Sequence, residues 1–256
     1  MRALRRLAGA GALLLLGCAA PSATDTRRSG FDDMGASTQA MQRDDAQNPA
    51  MLWVQEGEQL WRASSSSSAR SCASCHGEAA AMRGVAARYP AWDTTLARPV
   101  DLATRINLCR ERHQQQRPLP PEHEDLLALE AFIALQSRGM PIRPADDARL
   151  APSVARGEAW YRTRMGQLDL SCAQCHEERA GGHLAAALIP QGHATGYPIY
   201  RLEWQSMGSL GRRLRGCMSG VRAEPFAYGS MEMTELELYL ARRAMGMPWE
   251  GSAVRP

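Results

Sequence analysis

The chain opens on one apolar run, "LAGAGALLLLGCAA" from Leu7, with Arg2, Arg5 and Arg6 ahead of it. That run is too short to span a bilayer and has the charge order of an export leader. Residues 21 to about 50 are polar and sustain no apolar period, which predicts a tether or loosely ordered arm. Beyond residue 50 the pattern turns helical. A short helix is expected from "GEQLWR" at Gly57 and another from "GEAWYR" at Gly157, each running into the cysteine cluster that follows. A second apolar-periodic segment lies in each half: "LLALEAFIAL" with Phe132, and "TELELYLARR" with Tyr239. Almost no stretch alternates as a strand would. The pattern predicts an all-α fold.

The same landmarks recur in order. Gly57 and Gly157, and then "CASCH" at Cys72 and "CAQCH" at Cys172, are offset by 100 residues. "RINLC" ending at Cys109 and "RLRGC" ending at Cys217 are offset by 108, and the two "GMP" tripeptides at Gly139 and Gly246 by 107. Repetition at this spacing implies two copies of one small domain, spanning residues 51–148 and 149–256.

Each copy carries C-x-x-C-H. The spacing lets two thiols reach the two vinyl groups of one haem, and the adjacent histidine then rises as an iron ligand. Cys72, Cys75 and His76 form the first set, and Cys172, Cys175 and His176 the second. A zinc site or a pair of disulfides is the alternative, but zinc needs no histidine in the same place twice. The expectation is two tandem cytochrome c-like domains, each around one covalent haem c.

Met140 and Met247 follow the aromatic-bearing helix, whereas a distal methionine is expected before it. The pre-helix slot holds Cys109 in one copy and Cys217 in the other, 33 and 41 residues past their histidines. Both haems are therefore expected to be His/Cys ligated, against the alternative of two small buried hydrophobes. An anionic sulfur ligand stabilises ferric iron and lowers the reduction potential. Arg105 and Arg213 each stand four residues before their cysteine, on the same side of a helix. A guanidinium there favours the thiolate. Around Cys217 the cluster Arg212, Arg213, Arg215 and Arg222 suits a small sulfur oxyanion, because arginine offers a planar fork to its oxygens. Arg213 is the one expected to touch substrate. The bland alternative is a solvated basic face.

Composition changes the picture little. A formal charge of +3 implies no nucleic-acid partner. Aromatic residues are scarce at 6%, which fits a fold built around an apolar cofactor. The leader ends on "LLGC", which resembles a lipobox and makes Cys18 a candidate for acylation; a soluble leader cut near Ala19 is the alternative. Either way the mature protein is expected in the periplasm, with residues 1–20 as leader and 21–50 as polar linker.

The stretch "GCMSGVRAEPFAYGSMEMTELELYLARRAMGMP", with "SCASCHGE", "RINLCRER" and "SCAQCHEERAGGHL", resembles the SoxA family of bacterial thiosulfate-oxidising systems. The resemblance covers about residues 50 to 250. It implies a subunit of an L-cysteine S-thiosulfotransferase, paired with a monohaem SoxX-type cytochrome and acting on the carrier SoxYZ and on thiosulfate. It further implies that Cys217 is the catalytic cysteine, found as a persulfide in the family, and an axial ligand of the second haem. Arg213 matches the substrate-binding arginine. The other iron ligands implied are His76, Cys109 and His176. A plain electron-transfer cytochrome, a thiosulfate dehydrogenase making tetrathionate and a cytochrome c peroxidase are the competing classes.

Overall fold

The computed structural model describes residues 25–64 and 69–256. The expected leader, with Cys18, lies outside the described residues.

Helices dominate. α1 (Ala36–Arg43) and α2 (Ala50–Arg62) precede the one-turn α3 (Cys72–His76). A hairpin of β1 (Ala91–Asp93) and β2 (Arg98–Val100) then leads into α4 (Leu102–Gln114) and α5 (Glu124–Leu135). The second half repeats the plan. α6 (Ala151–Arg162) precedes a π-turn at Gln174–Glu178 and a small hairpin of β3 (His183–Leu184) and β4 (Ala187–Leu188). β5 (Ile199–Arg201) and β6 (Ser206–Gly208) lead into α7 (Leu210–Gly220) and α8 (Met231–Arg243), and β7 (Ala253–Arg255) ends the chain.

The fold is mostly helical, as expected, but short strands that the all-α reading did not include join the helices. Three-residue strands complete barely one cycle of the two-residue side-chain period, so the sequence pattern could not show them. The helices from Gly57 and Gly157 also stop ten residues short of their cysteine motifs instead of running into them.

In each half the first and last long helices cross at a glycine. A β-carbon on Gly57 would stand 2.0 Å from the Ala128 carbonyl oxygen and 2.8 Å from Cβ of Phe132. On Gly157 it would stand 2.0 Å from the Glu235 oxygen and 2.8 Å from Cβ of Tyr239. The repeated "GE" and the repeated aromatic are two sides of one contact, with backbones too close for any side chain. Beside it, Trp61 packs on Phe132 at 5.6 Å and Tyr161 on Tyr239 at 5.3 Å between ring centres. Residues 126–134 of α5 and 233–241 of α8 are all buried, including Glu130, Glu235 and Glu237.

The two "GMP" segments pair with each other. Ile142 N–H donates to the Met247 carbonyl and Gly246 N–H to that of Ile142, both at 2.8 Å. Pro141 and Pro248 face across this antiparallel bridge, and Met247 is buried against Ile142. The repeated tripeptide thus joins the halves to each other.

The polar stretch 25–50, expected to be loose, is built into the structure. Arg27 donates to the carbonyls of Arg243 (3.1 Å) and Met245 (2.9 Å) at the end of α8. Asn48 Nδ2 donates to the Ser252 carbonyl, and Gln42 Oε1 accepts from Val254 N–H. Met34 and Ala50 are buried. Polar side chains fix this arm through distant backbone groups, which leaves no apolar period to read.

Candidate functional site

Each long loop ends in an N-capped cysteine helix. Asp101 accepts from Thr104 N–H to start α4, and Ser209 accepts from Arg212 N–H to start α7. Two turns along lie Cys109 and Cys217, both half-buried. The motif cysteines gather near them: Cys109 lies within electrostatic range of Cys72 and Cys75, and Cys217 of Cys172. None of the six described cysteines is in a disulfide. Among the described residues no group of three or more His, Cys, Asp or Glu side chains is placed to hold a bare metal ion.

The second set fits haem closely. Nδ1 of His176 sits 2.8 Å from the Pro190 carbonyl, so that nitrogen is held as donor and Nε2 is left for iron. Burial keeps the imidazole neutral by pushing its pKa down. Gly192 cradles the ring: at a φ of +71° it brings its α-carbon so near that a β-carbon would lie 2.8 Å from Cγ of His176. In the first set, Ser71 caps α3 and Trp61 packs 5.6 Å from the His76 ring, which is exposed. Burial pushes the Cys109 thiol up, against the opposing pull of Arg105 and Arg112, and raises Cys172 to about 11. Both guanidiniums pull the Cys109 thiol down, as expected of Arg105, and desolvation of the anion outweighs them.

The arginines around Cys217 separate into two kinds. Arg212 stacks 4.1 Å from the Trp204 ring centre and donates to Ser206 Oγ. Arg215 lies over Tyr228 and donates to the Phe226 carbonyl. Arg222 is exposed, near Gln167. These three brace the local chain. Arg213 differs: its half-buried guanidinium has no hydrogen bond or ion pair among the described residues. It lies within electrostatic range of His176, Tyr197 and Arg201. Its counterpart Arg105 is paired with the buried Asp93 at 2.8 Å and neighbours Tyr89.

Asp93, Tyr197, Arg201 and Pro190 did not figure in the sequence reading. A signal existed for three of them, because "YPAWD" from Tyr89 and "YPIYR" from Tyr197 share the 108-residue offset of the two cysteines. The remaining histidines stay outside the site or at its margin. His123 caps α5, His183 is exposed on β3, and His113 ends α4 in solvent. His193 lies near Arg243 and Arg27 with a buried Nδ1 that has no partner among the described residues. Burial lowers its pKa to about 4.

The profile of the SoxA/TsdA cytochrome c domain matches residues 56–142 and 156–249. The chain is similar to the L-cysteine S-thiosulfotransferase subunit SoxA of Pseudaminobacter salicylatoxidans, 37% identical over 90% of this chain and 82% of that one. The corresponding subunit of Paracoccus pantotrophus is 36% identical over 90% of this chain and 80% of its own length. The crystal structure of SoxXA from P. pantotrophus superposes with a TM-score of 0.86 at 36% identity, covering 90% of this chain and 87% of that one.

Proposed function

The chain belongs to the SoxA family, and on that premise we propose that it is the catalytic subunit of an L-cysteine S-thiosulfotransferase working at Cys217. The reaction bonds the terminal sulfur of thiosulfate to a cysteine sulfur of the carrier SoxYZ. The carrier thiol loses its proton and two electrons are withdrawn. Covalent haem c, which SoxA cytochrome c domains bind, supplies the electron acceptor when in place.

The observation that carries this reading is the unpaired Arg213 guanidinium one helical turn before Cys217, where every other arginine of the cluster is engaged. Arg213 binds the sulfonate end of thiosulfate and orients the terminal sulfur toward Cys217, which carries the persulfide. Positioning and fixed positive charge are the contribution of the chain.

The finer assignments follow. Residues 51–148 and 149–256 each hold one haem, attached through Cys72 and Cys75 and through Cys172 and Cys175. His76 and Cys109 would hold the iron of the first haem, and His176 and Cys217 that of the second. The glycine–aromatic crossing repeated in both halves, and the two separate segments matched by the family profile, support this division. The partner is a SoxX-type monohaem cytochrome, in keeping with the SoxXA complex that this chain resembles. The leader-like start supports export to the periplasm, with Cys18 a candidate lipid anchor.

Replacing Cys217 by Ala should abolish thiosulfate-dependent modification of the carrier while both haems stay attached, as intact-protein mass spectrometry would show. The same spectrum counts haems and reveals lipid on Cys18. Full turnover by the variant refutes the assignment. Formation of tetrathionate in the absence of carrier would mark the chain as a thiosulfate dehydrogenase instead.

A further inference from the structure

The two halves build their cysteine helices on one frame. A Tyr–Pro step leads into a hairpin, and the hairpin into an N-capped helix that carries arginine and then cysteine. Every position is displaced by 108: Tyr89 to Tyr197, Asp93 to Arg201, Asp101 to Ser209, Arg105 to Arg213 and Cys109 to Cys217. Within that frame one charge is reversed.

In the first half Asp93, only 2% exposed, answers Arg105 at 2.8 Å and Arg112 at 3.4 Å, and accepts from the N–H groups of Thr95 and Leu96. In the second half an arginine takes the place of the acid, and Gly220 that of Arg112. Two guanidiniums are left with no carboxylate between them, and Arg201 lies within electrostatic range of both Arg213 and Cys217.

Arg201 is not a solvated surface cation. Its side chain is 15% exposed, and its guanidinium carbon lies 5.2 Å from the Trp204 ring centre. Its one carboxylate partner among the described residues is Glu203, 51% exposed. That group stands 2.9 Å from Nε as an ion pair whose angle makes no hydrogen bond. Holding two under-neutralised cations together, one of them largely desolvated, costs folding free energy. A ligand of opposite charge offsets that cost.

We propose that Arg201 is the second guanidinium of the substrate site, so that the sulfonate oxygens of thiosulfate are held between Arg201 and Arg213. The site then selects small tetrahedral sulfur dianions, because two planar forks converge on them. The exchange also explains why the two cysteines differ. At Cys109 the fixed charge of Asp93 repels an anion and engages both Arg105 and Arg112, so the first half binds cofactor without binding substrate. This rests on the thiosulfotransferase reading above.

The test uses the full haem-loaded chain with its partner subunit, the carrier and thiosulfate. Arg201→Gln should raise KM for thiosulfate by about tenfold or more while kcat changes by less than about threefold. Arg201→Lys should fall between Gln and wild type, and inhibition by sulfate should weaken in parallel. Arg201→Asp rebuilds the first-half pair, and should keep the haem spectrum while losing thiosulfate binding. Glu203→Gln should leave KM unchanged.

An unchanged KM in Arg201→Gln, or an equal loss in Glu203→Gln, overturns the proposal. The second result would mean that Arg201 only braces its strand. If the wild type fails to modify the carrier, the functional reading falls. Calorimetric binding of thiosulfate alone to wild type and Arg201→Gln then decides on Arg201 independently.

Discussion

Gly157 lies so close to Glu235 that a β-carbon on it would stand 2.0 Å from the Glu235 carbonyl oxygen, and Gly57 stands in the same relation to Ala128. The obstructing atom is backbone inside a buried helix, so no side-chain rotation relieves it. Gly57→Ala and Gly157→Ala should each cost about 3 kcal/mol or more, the upper end for an overpacked core. Chemical denaturation of the haem-loaded protein measures this. A loss under about 1 kcal/mol would show that the crossing helices can simply move apart.

The two cysteine-helix arginines should fail in different ways when neutralised. Arg105→Gln strips the buried Asp93 of its closest cation and leaves Arg112 and two backbone donors, a loss of about 1–2 kcal/mol. Arg213 has no such partner, so Arg213→Gln should change stability by less than about 0.5 kcal/mol. It should nevertheless raise KM for thiosulfate by about tenfold or more. Equal stability losses in the two variants would mean that Arg213 has a structural partner after all.

What could be read from sequence was the part that covalent chemistry writes into spacing. C-x-x-C-H needs its residues adjacent, so Cys72, Cys75, Cys172 and Cys175 stand out without any fold. The helix crossing was half legible, because Gly57 and Gly157 marked the repeat although their contact with Ala128 and Glu235 did not show. Asp93 and Arg201 went unread for another reason. Their relation to Arg105 and Arg213 passes through a hairpin of three-residue strands, too short to reveal which residue returns beside the helix. The arm fared worst: Arg27 and Asn48 act on carbonyls about 200 residues away, and a carbonyl has no sequence signature.

That arm gives a direct test of its own order. Arg27 satisfies two carbonyls at the end of α8, where the helix leaves acceptors open and its dipole is negative. Arg27→Ala should lower stability by about 1 kcal/mol and speed proteolytic cleavage within residues 25–50. Identical protease sensitivity in wild type and variant would argue that the arm is not held through this residue.

Between the halves, Glu130 and Glu237 line a cavity of about 270 Å³ together with Asp101 and Glu122. Both side chains are 9% exposed and neither has a hydrogen bond or ion pair among the described residues. Burial is the first cause raising both carboxyls well above 4.5, and the neighbouring acids add to it. The folded protein therefore binds protons that the unfolded chain releases above about pH 4.5, so these groups make stability fall as pH rises from there toward their folded values. Above the unfolded value, keeping these carboxyls protonated in the fold carries a cost that the unfolded chain escapes. Glu130→Gln and Glu237→Gln keep the neutral shape without that penalty, so each should be at least as stable as wild type at pH 7. Each should also flatten the decline in denaturation midpoint between pH 5 and 8. A variant with the wild-type slope would show that its carboxyl is already ionised in the folded protein, reached by water through the cavity.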